Sequence, residues 1–363
     1  MIGVMKITNF SKKMNVEKSL LVVCFLLIFN ISQAQVEFVS ECRQKTFPKH
    51  IPAGNYSGIT HIGGNDYAVV SDKSENDGFF IISIDIDSIT GEIADIKVKG
   101  FLGDSISGGD CEGIAYRPSS STFFITKEAK ASIVEYDSKG KLTGRSLDLP
   151  TVYKHGNGAY GLESLAYDGQ NKLFWTINES TLPEDGKQAT SKNSVRNILR
   201  LQSFNDSLQP KMQYAYMMDE PTVHSKSSEY AMGVSELAAV GKDYILVLER
   251  EFYVPKIKLG AFVTCKLYEI KPEDEYSITG DTINDNTKFL PKRLVYSFTT
   301  KLTLFDRSLA NYEGMCLGPT LADGNKVLIL VSDSQNGYRG VLKDWFKTIV
   351  LRCGGNSQHQ FKP

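Results

Sequence analysis

The chain has 363 residues, with 41 lysines and arginines against 42 aspartates and glutamates, which gives a formal net charge of −1 at pH 7. With nearly equal numbers of basic and acidic residues, the sequence indicates no basic face that would bind the phosphate backbone of a nucleic acid, so we exclude nucleic acid as a partner. The length suits one large β domain better than a small module.

The N-terminus has the features of a secretory signal peptide. Lys12, Lys13 and Lys18 precede an apolar run over residues 20–31, and the small residues up to Ala34 suit cleavage after that position. The run is short for a membrane span, and no second one follows. We therefore predict an exported protein, periplasmic or extracellular, whose mature chain has no membrane span. In this prediction residues 1–34 are the signal peptide, residues 35–353 form one domain, and residues 354–363 are a flexible tail.

A unit of two short strands recurs five times along the chain. Each copy opens on a polar or acidic residue, continues as an apolar strand, turns, and ends a second strand on an acid. The opening residues are Ser57, Glu112, Glu163, Glu236 and Glu313. Periods of this size, built from short strands, are typical of propeller blades. We predict an all-β fold, a β-propeller of five blades, with six as the alternative if the longer spacings hide a degenerate repeat.

More strand-like sequence follows each unit and brings each repeat to about four strands. The fifth repeat has only residues 348–352 as a clear third strand, and residues 36–43 are the natural fourth. The N-terminal strand would then close the last blade. This closure would bring Cys42 towards Cys353, either as a disulfide that locks the ring or as two unpaired thiols.

The antiparallel pairing of each unit places the start of its first strand and the end of its second on one face. In a propeller the first strand lines the central channel, so this face surrounds one channel mouth. The acids expected there are Glu112, Glu163, Glu236, Glu313, Asp72, Glu128, Glu179, Glu249 and Asp333. Like charges at such separations repel unless something neutralises them.

Two arrangements would neutralise these charges, a third would give the glutamates a structural role only, and the sequence leaves all three open. A hard divalent cation such as Ca²⁺ takes carboxylate oxygens as ligands. Alternatively, Lys73, Lys127 and Arg250, each next to the acid that ends its second strand, would pair with neighbouring carboxylates. A glutamate at a strand start could also bind only the backbone amides of the adjacent blade.

Four stretches of the chain carry a family resemblance. They read CEGIA at 111–115, GLESLA at 161–166, SEL at 235–237 with LVLER at 246–250, and NYEGM at 311–315 with VSDSQN at 331–336. In order and context they resemble the exported bacterial phytase-like family, also described as having esterase-like activity of phytase. The resemblance covers about residues 50–352. It implies a β-propeller and action on phosphate esters.

Hydrolysis of a phosphate ester at this mouth would use bound Ca²⁺ to offset phosphate charge and to lower the pKa of an attacking water. From the repeat geometry, the candidate Ca²⁺ ligands are Glu112, Glu163, Glu236 and Glu313. Glu163 is the candidate base that accepts the proton of the water, and Glu179 and Glu128 are alternative bases.

Arg250 is the candidate for holding a phosphate oxygen, because a guanidinium offers paired donors. Its alternative role is a salt bridge to Glu249 or to an acid of a neighbouring blade. We expect a monomer that acts on a small phosphate ester or another ester. One alternative is a noncatalytic propeller that binds a ligand or protein with a structural calcium, and a weaker one is a lactonase.

Overall fold

The computed structural model describes residues 36–354, apart from residues 53, 105–109, 156–160, 242 and 281. The predicted signal peptide and all but Gly354 of the predicted tail therefore lie outside the described residues. Within them, no helix is both long and apolar enough to cross a membrane. Their helical segments are four short 3-10 helices, Glu128–Lys130, Thr151–His155, Asp274–Tyr276 and Gln335–Gly340.

Twenty strands account for most of the described chain. In chain order they are β1 (Val36–Glu41), β2 (Tyr56–Gly63), β3 (Asp66–Ser71), β4 (Gly78–Ile86), β5 (Ile93–Gly103), β6 (Cys111–Arg117), β7 (Thr122–Lys127), β8 (Ser132–Tyr136), β9 (Leu142–Ser146), β10 (Ala166–Asp168), β11 (Leu173–Ile177), β12 (Ile198–Asn205), β13 (Pro210–Met217), β14 (Glu229–Val240), β15 (Tyr244–Val254), β16 (Ala261–Ile270), β17 (Lys292–Leu302), β18 (Asn311–Thr320), β19 (Lys326–Asp333) and β20 (Phe346–Cys353).

These strands form five antiparallel sheets of four strands each, one for every repeat. Four sheets are simple meanders of consecutive strands: β2 to β5, β6 to β9, β10 to β13, and β14 to β17. The fifth has the order β1-β20-β19-β18, so its outermost strand comes from the N-terminal end of the domain. The all-β class and the four-stranded repeats are as predicted.

The second strand of each sheet is buried on both faces. For this reason β19 is a nearly continuous apolar run rather than an alternating one, and all six residues of β7 are buried. Aromatic rings link neighbouring sheets: the centroids of Phe79 and Phe123 lie 4.2 Å apart, and those of Phe124 and Phe174 lie 4.4 Å apart. Burial of such rings between sheets supplies much of the hydrophobic stabilisation.

The first strands of the five sheets contact one another in a cyclic order. β2 contacts β6, β6 contacts β10, β10 contacts β14, β14 contacts β18, and β18 returns to β2. Glycines allow this approach, since a Cβ at Gly58 would lie 2.3 Å from the backbone oxygen of Glu112. A Cβ at Gly113 would lie 2.6 Å from the backbone oxygen of Glu163. Either contact is too short for a real side chain, so the spacing of the inner strands requires glycine.

Strand β1 completes the fifth sheet by hydrogen bonding and not by a disulfide. Its register pairs Val36 with Cys353 and Glu41 with Ile349. Cys42 therefore lies beside Thr348, roughly 17 Å along the strand direction from the level of Cys353. Both cysteines are free thiols. The predicted strand pairing is confirmed, and of the two cysteine hypotheses the unpaired one is correct.

Candidate active site at the acidic mouth

Irregular strand pairing occurs at the repeat position on the first strand of four sheets. The register shifts between Tyr56 and Gly58, Cys111 and Ile114, Val234 and Glu236, and Tyr312 and Gly314. The residues skipped in two of these sheets include Glu112 and Glu313. Such bulges bend a strand and change the direction of a side chain. In the third sheet Glu163 precedes β10, next to the single bridge between Leu162 and Asn178.

Eight carboxylates at this end of the inner strands influence one another's ionisation. They are Asp72, Asp110, Glu112, Glu128, Glu163, Glu179, Glu313 and Asp333. Lys73 and Arg250 are the basic groups that act on them. We call this set the acidic mouth. Seven of its acids are among those that the repeat predicts to gather, and Asp110 is an addition.

Asp72, Asp110 and Glu112 form a compact carboxylate group within the mouth. One oxygen from each lies within 4.8 Å of the other two. The Asp72 side chain is only 7% exposed, and its Oδ1 atom is buried with no hydrogen-bond partner among the described residues. Its other oxygen pairs with Lys73. Oxygen ligands of Ca²⁺ lie about 2.3–2.6 Å from the ion, so these oxygens are close enough to share one.

Asp110 escaped the repeat analysis because it precedes the repeated unit. One signal could have revealed it: Asp110 is a further acid only two positions before the repeat residue Glu112. Its φ of 50° is in the left-handed region, which aspartate tolerates better than most residues.

Glu163 is an acid of the mouth whose carboxylate, like those of Asp110 and Glu112, has no protein partner among the described residues. No hydrogen bond or ion pair within the described part of the chain engages its half-buried carboxylate. Burial, followed by the nearby charges of Glu179, Glu313 and Glu128, raises its pKa well above the usual glutamate value. A carboxylate with a raised pKa and free oxygens is suited to accept a proton or bind a cation.

Arg250 bridges two sheets on either side of its own. Its Nη2 donates to Glu179 Oε1 at 2.8 Å, and its Nη1 donates to Glu313 and to Asn311 Oδ1, the latter at 2.8 Å. Its Nε is buried without a partner among the described residues. Of the two alternatives for this residue, the observed contact is the salt bridge to acids of neighbouring sheets, although not to Glu249. A phosphate contact from Arg250 stays a prediction.

The ionisation of this bridge reflects competition between burial and charge. Burial alone would lower the pKa of Arg250, but the facing carboxylates of Glu313, Glu179 and Glu163 raise it. Burial raises the pKa of Glu313 to about 7 even though the guanidinium of Arg250 opposes the shift. Asp333, buried beside Glu313 and Asp72, has its pKa raised to about 8. The mouth therefore holds more acid than its own cations compensate.

Glu236, a predicted calcium ligand, is occupied by the backbone. Its Oε1 accepts the amide N–H of Leu165 at 3.0 Å and that of Leu237 at 2.9 Å, which ties the third sheet to the fourth. This is the amide-binding alternative considered for strand-start glutamates. Its Oε2 is buried without a partner in the described chain, and burial raises its pKa well above the usual value. As a calcium ligand Glu236 stays an untested prediction, separate from the Asp72 group.

Two residues expected at the mouth interact elsewhere. Glu249 accepts hydrogen bonds from the Tyr216 hydroxyl at 2.6 Å and from Lys292 Nζ at 2.5 Å. Lys127 pairs with Asp77 at 2.8 Å and donates to Cys111 Sγ at 3.0 Å. Both therefore belong to networks within or between sheets. The contacts of Glu249 contradict its expected place among the acids of the mouth, whereas Lys127 pairs with a carboxylate, Asp77, as one alternative for the basic residues predicted.

Cavities open at both ends of the inner strands. One of about 280 Å³ is lined by Lys73, Asn55 and Asn336, and another of about 210 Å³ by Arg250 and Glu313. A third, of about 250 Å³, is lined at the opposite end by mostly apolar residues from the first strands of all five sheets. The axis through the inner strands is therefore polar at one end and largely apolar at the other.

Solved structures similar to the chain share little sequence with it. A luciferin-regenerating enzyme is 11% identical, with 88% of this chain and 95% of that chain covered and a TM-score of 0.40. A member of the DUF4221 family from Bacteroides vulgatus is 10% identical, with 89% and 100% covered and a TM-score of 0.39. A chain of a nidogen/laminin complex is 10% identical, with 79% of each chain covered and a TM-score of 0.37.

No curated protein matches the sequence. A family model does: the phytase-like family, described as "Esterase-like activity of phytase", matches residues 51–335. The match takes in all eight acids of the mouth together with Lys73 and Arg250. The chain therefore belongs to the phytase-like family, as its motifs predicted.

Proposed function

We propose that this protein is an exported, metal-dependent hydrolase of phosphate esters whose site is the acidic mouth. The observation that carries the proposal is the group of Asp72, Asp110 and Glu112, with a buried, unpartnered oxygen on Asp72, close to the free carboxylate of Glu163. Membership of the phytase-like family supports this choice of substrate class. The proposal includes an N-terminal signal peptide and a small-molecule ester as substrate.

We propose in addition that the five sheets are the blades of one closed five-bladed β-propeller. The cyclic contacts of the first strands support this arrangement, as does the pairing of β1 with β20. In such a ring the first strands surround the axis, and the acids at their starts converge on one mouth. A six-bladed ring would require a sixth sheet, and the described residues form none.

Asp72, Asp110 and Glu112 would hold the metal, and Ca²⁺ suits them because all three offer hard oxygen donors. When bound, Ca²⁺ would offset phosphate charge and acidify a nearby water. This proposal takes only Glu112 from the predicted ligand set of Glu112, Glu163, Glu236 and Glu313, and the other three stay untested as ligands. The uncompensated acids of the mouth favour a cation there, since each nearby like charge raises the free energy of the others.

The protein's own groups have distinct tasks in this proposal. Glu163 accepts the proton of the attacking water, because its oxygens are free and its pKa is raised. Lys73, half-exposed at the wall of the 280 Å³ cavity, is the cation best placed to meet a phosphate oxygen. Arg250 holds Glu179 and Glu313 in position. Glu179 is thereby less available as a base than Glu163.

Phosphate release from a panel of phosphomonoesters, including phytate, tests the proposal. The mature protein should release phosphate with added Ca²⁺ and stop with chelator, and Glu163→Gln should lower the rate by at least about a hundredfold. Glu249→Gln is the matched control, since Glu249 ends an equivalent strand but lies outside the mouth. A calcium-dependent rise in melting temperature with no release of phosphate, and no lactone opening in a parallel panel, would instead indicate a binding propeller.

A further inference from the structure

Two adjoining turns at one end of the fourth sheet expose large apolar side chains. The first joins β15 to β16 and carries Ile257, and the second follows β17 and carries Leu304 and Phe305. Their exposed fractions are 81%, 71% and 98%. The turns lie side by side, because the Gly260 amide donates to the backbone oxygen of Leu302 at 2.8 Å. We call these two turns, residues 255–260 and 303–306, the apolar tip.

The second turn holds its two apolar residues outward by its own hydrogen bonds. The Thr303 amide donates to the backbone oxygen of Asp306 at 2.6 Å, and Thr303 Oγ1 accepts from the amides of Phe305 and Asp306. With the backbone fixed in this way, Leu304 and Phe305 occupy the centre of the turn. Central turn positions are normally Gly, Asn, Asp or Ser. Exposed apolar residues grouped at such positions favour an interaction surface.

The surroundings of the tip are basic. Lys256, Lys258, Lys301 and Arg307 lie in or directly beside the two turns, against Asp306 and against Glu229, which pairs with Val254. The whole chain carries a net charge of −1, so this local positive excess is an asymmetry. Apolar side chains surrounded by lysine and arginine fit the interface of a membrane with anionic headgroups.

The tip also projects on the side of the acidic mouth. β14 begins at Glu229, seven residues before the repeat residue Glu236, so the fourth sheet continues past the level at which the acids stand. Arg250 and Phe252, four and two residues before the end of β15, line the 210 Å³ cavity between the mouth and the tip. A surface that meets the tip therefore faces the mouth.

We propose that the apolar tip binds an anionic lipid surface, with Ile257, Leu304 and Phe305 entering the acyl boundary and the basic residues meeting lipid phosphates. A protein partner fits less well, because a few side chains on two turns fall short of the roughly 800 Å² per partner that a stable interface buries. The proposal does not depend on the chemistry at the mouth. It would place the acidic mouth next to a membrane surface.

Sedimentation with vesicles tests the lipid assignment on the full mature chain. The protein should bind vesicles of phosphatidylcholine with phosphatidylglycerol, bind phosphatidylcholine alone only weakly, and dissociate as salt is raised. The double variant Leu304→Ser, Phe305→Ser should lower binding at least about tenfold. Lys256→Ala with Lys301→Ala should weaken binding to the anionic vesicles alone.

Ile89→Ser is the matched control. Ile89 is 75% exposed in the turn between β4 and β5, at the opposite end of its sheet from the mouth, so its variant should bind like the unmodified protein. Equal melting temperatures would show that all variants are folded. Failure to bind either vesicle type, or equal binding by the double variant, would overturn the proposal. So would self-association of the unmodified protein that the double variant abolishes.

Discussion

Arg250 is the residue on which the electrostatics of the mouth depend most. It is almost fully buried and contacts two carboxylates from different sheets, Glu179 and Glu313. Removal of one partner from a buried ion pair is costly because the remaining charge has no compensation. Arg250 is thus a structural cation first, and its influence on any substrate passes through the acids that it orients.

We predict that Arg250→Leu lowers the free energy of unfolding by about 3 kcal/mol or more, since it leaves Glu179 and Glu313 buried together without their cation. Arg250→Lys keeps the charge but not the forked geometry. Its free energy of unfolding should lie between those of Arg250→Leu and the unmodified protein. Urea unfolding at pH 7 would measure both. A leucine variant as stable as the unmodified protein would be inconsistent with the bridge.

Glu236 gives a prediction in which pH is the variable. Its folded pKa lies above the ordinary 4.5 because of burial, so the folded state holds its proton more tightly than the unfolded state. Its contribution to stability is full below pH 4.5 and is lost as pH rises through the folded pKa. Glu236→Gln keeps the shape and does not titrate. The melting temperature of this variant should therefore rise relative to that of the unmodified protein as the pH increases from 4 to 8.

Thermal melts at pH 4, 6 and 8 would follow this difference. Groups that titrate in both proteins contribute equally to both melting temperatures and cancel in the difference. A change of the difference with pH is therefore due to position 236. A difference that stays constant across the three pH values would mean that the carboxyl has an ordinary pKa.

At the level of elements, strand β1 connects the two ends of the domain. Its hydrogen bonds cover β20, which would otherwise be an open sheet edge. The repeat pattern predicted this strand correctly, because the fifth repeat lacked a fourth strand and the N-terminal segment had no other place in a four-stranded scheme. The bulges were beyond such reasoning, because a register shift depends on how two strands pack and not on the alternation within either.

We predict that deletion of residues 36–41 lowers the melting temperature and promotes self-association through the uncovered edge of β20. Light scattering during a thermal melt would detect both effects. In the unmodified protein, a reducing agent should leave the melting temperature unchanged, since Cys42 and Cys353 are free thiols. A monomeric truncated protein with unchanged melting behaviour would show that β1 contributes little.

At the scale of the whole molecule, the order of the sheets brings distant residues together. Glu179 and Glu313 are separated from Arg250 by 71 and 63 positions, yet both contact it. The sequence predicted which acids begin and end strands, and so predicted the mouth. It could not assign partners: Glu236 faces backbone amides and Glu249 faces Lys292 because bulges and side-chain direction differ between sheets. Asp110 lay outside the repeat on which the prediction was built.

The rate of phosphate release as a function of free Ca²⁺, measured for Asp72→Asn beside the unmodified protein, tests the central claim most directly. The asparagine keeps the size of the side chain and removes the charge of the carboxylate whose Oδ1 has no partner within the described chain. The proposal predicts that the variant needs at least about tenfold more Ca²⁺ for half-maximal release. The same calcium dependence in both proteins, or release that does not need Ca²⁺, would contradict a metal site at Asp72, Asp110 and Glu112.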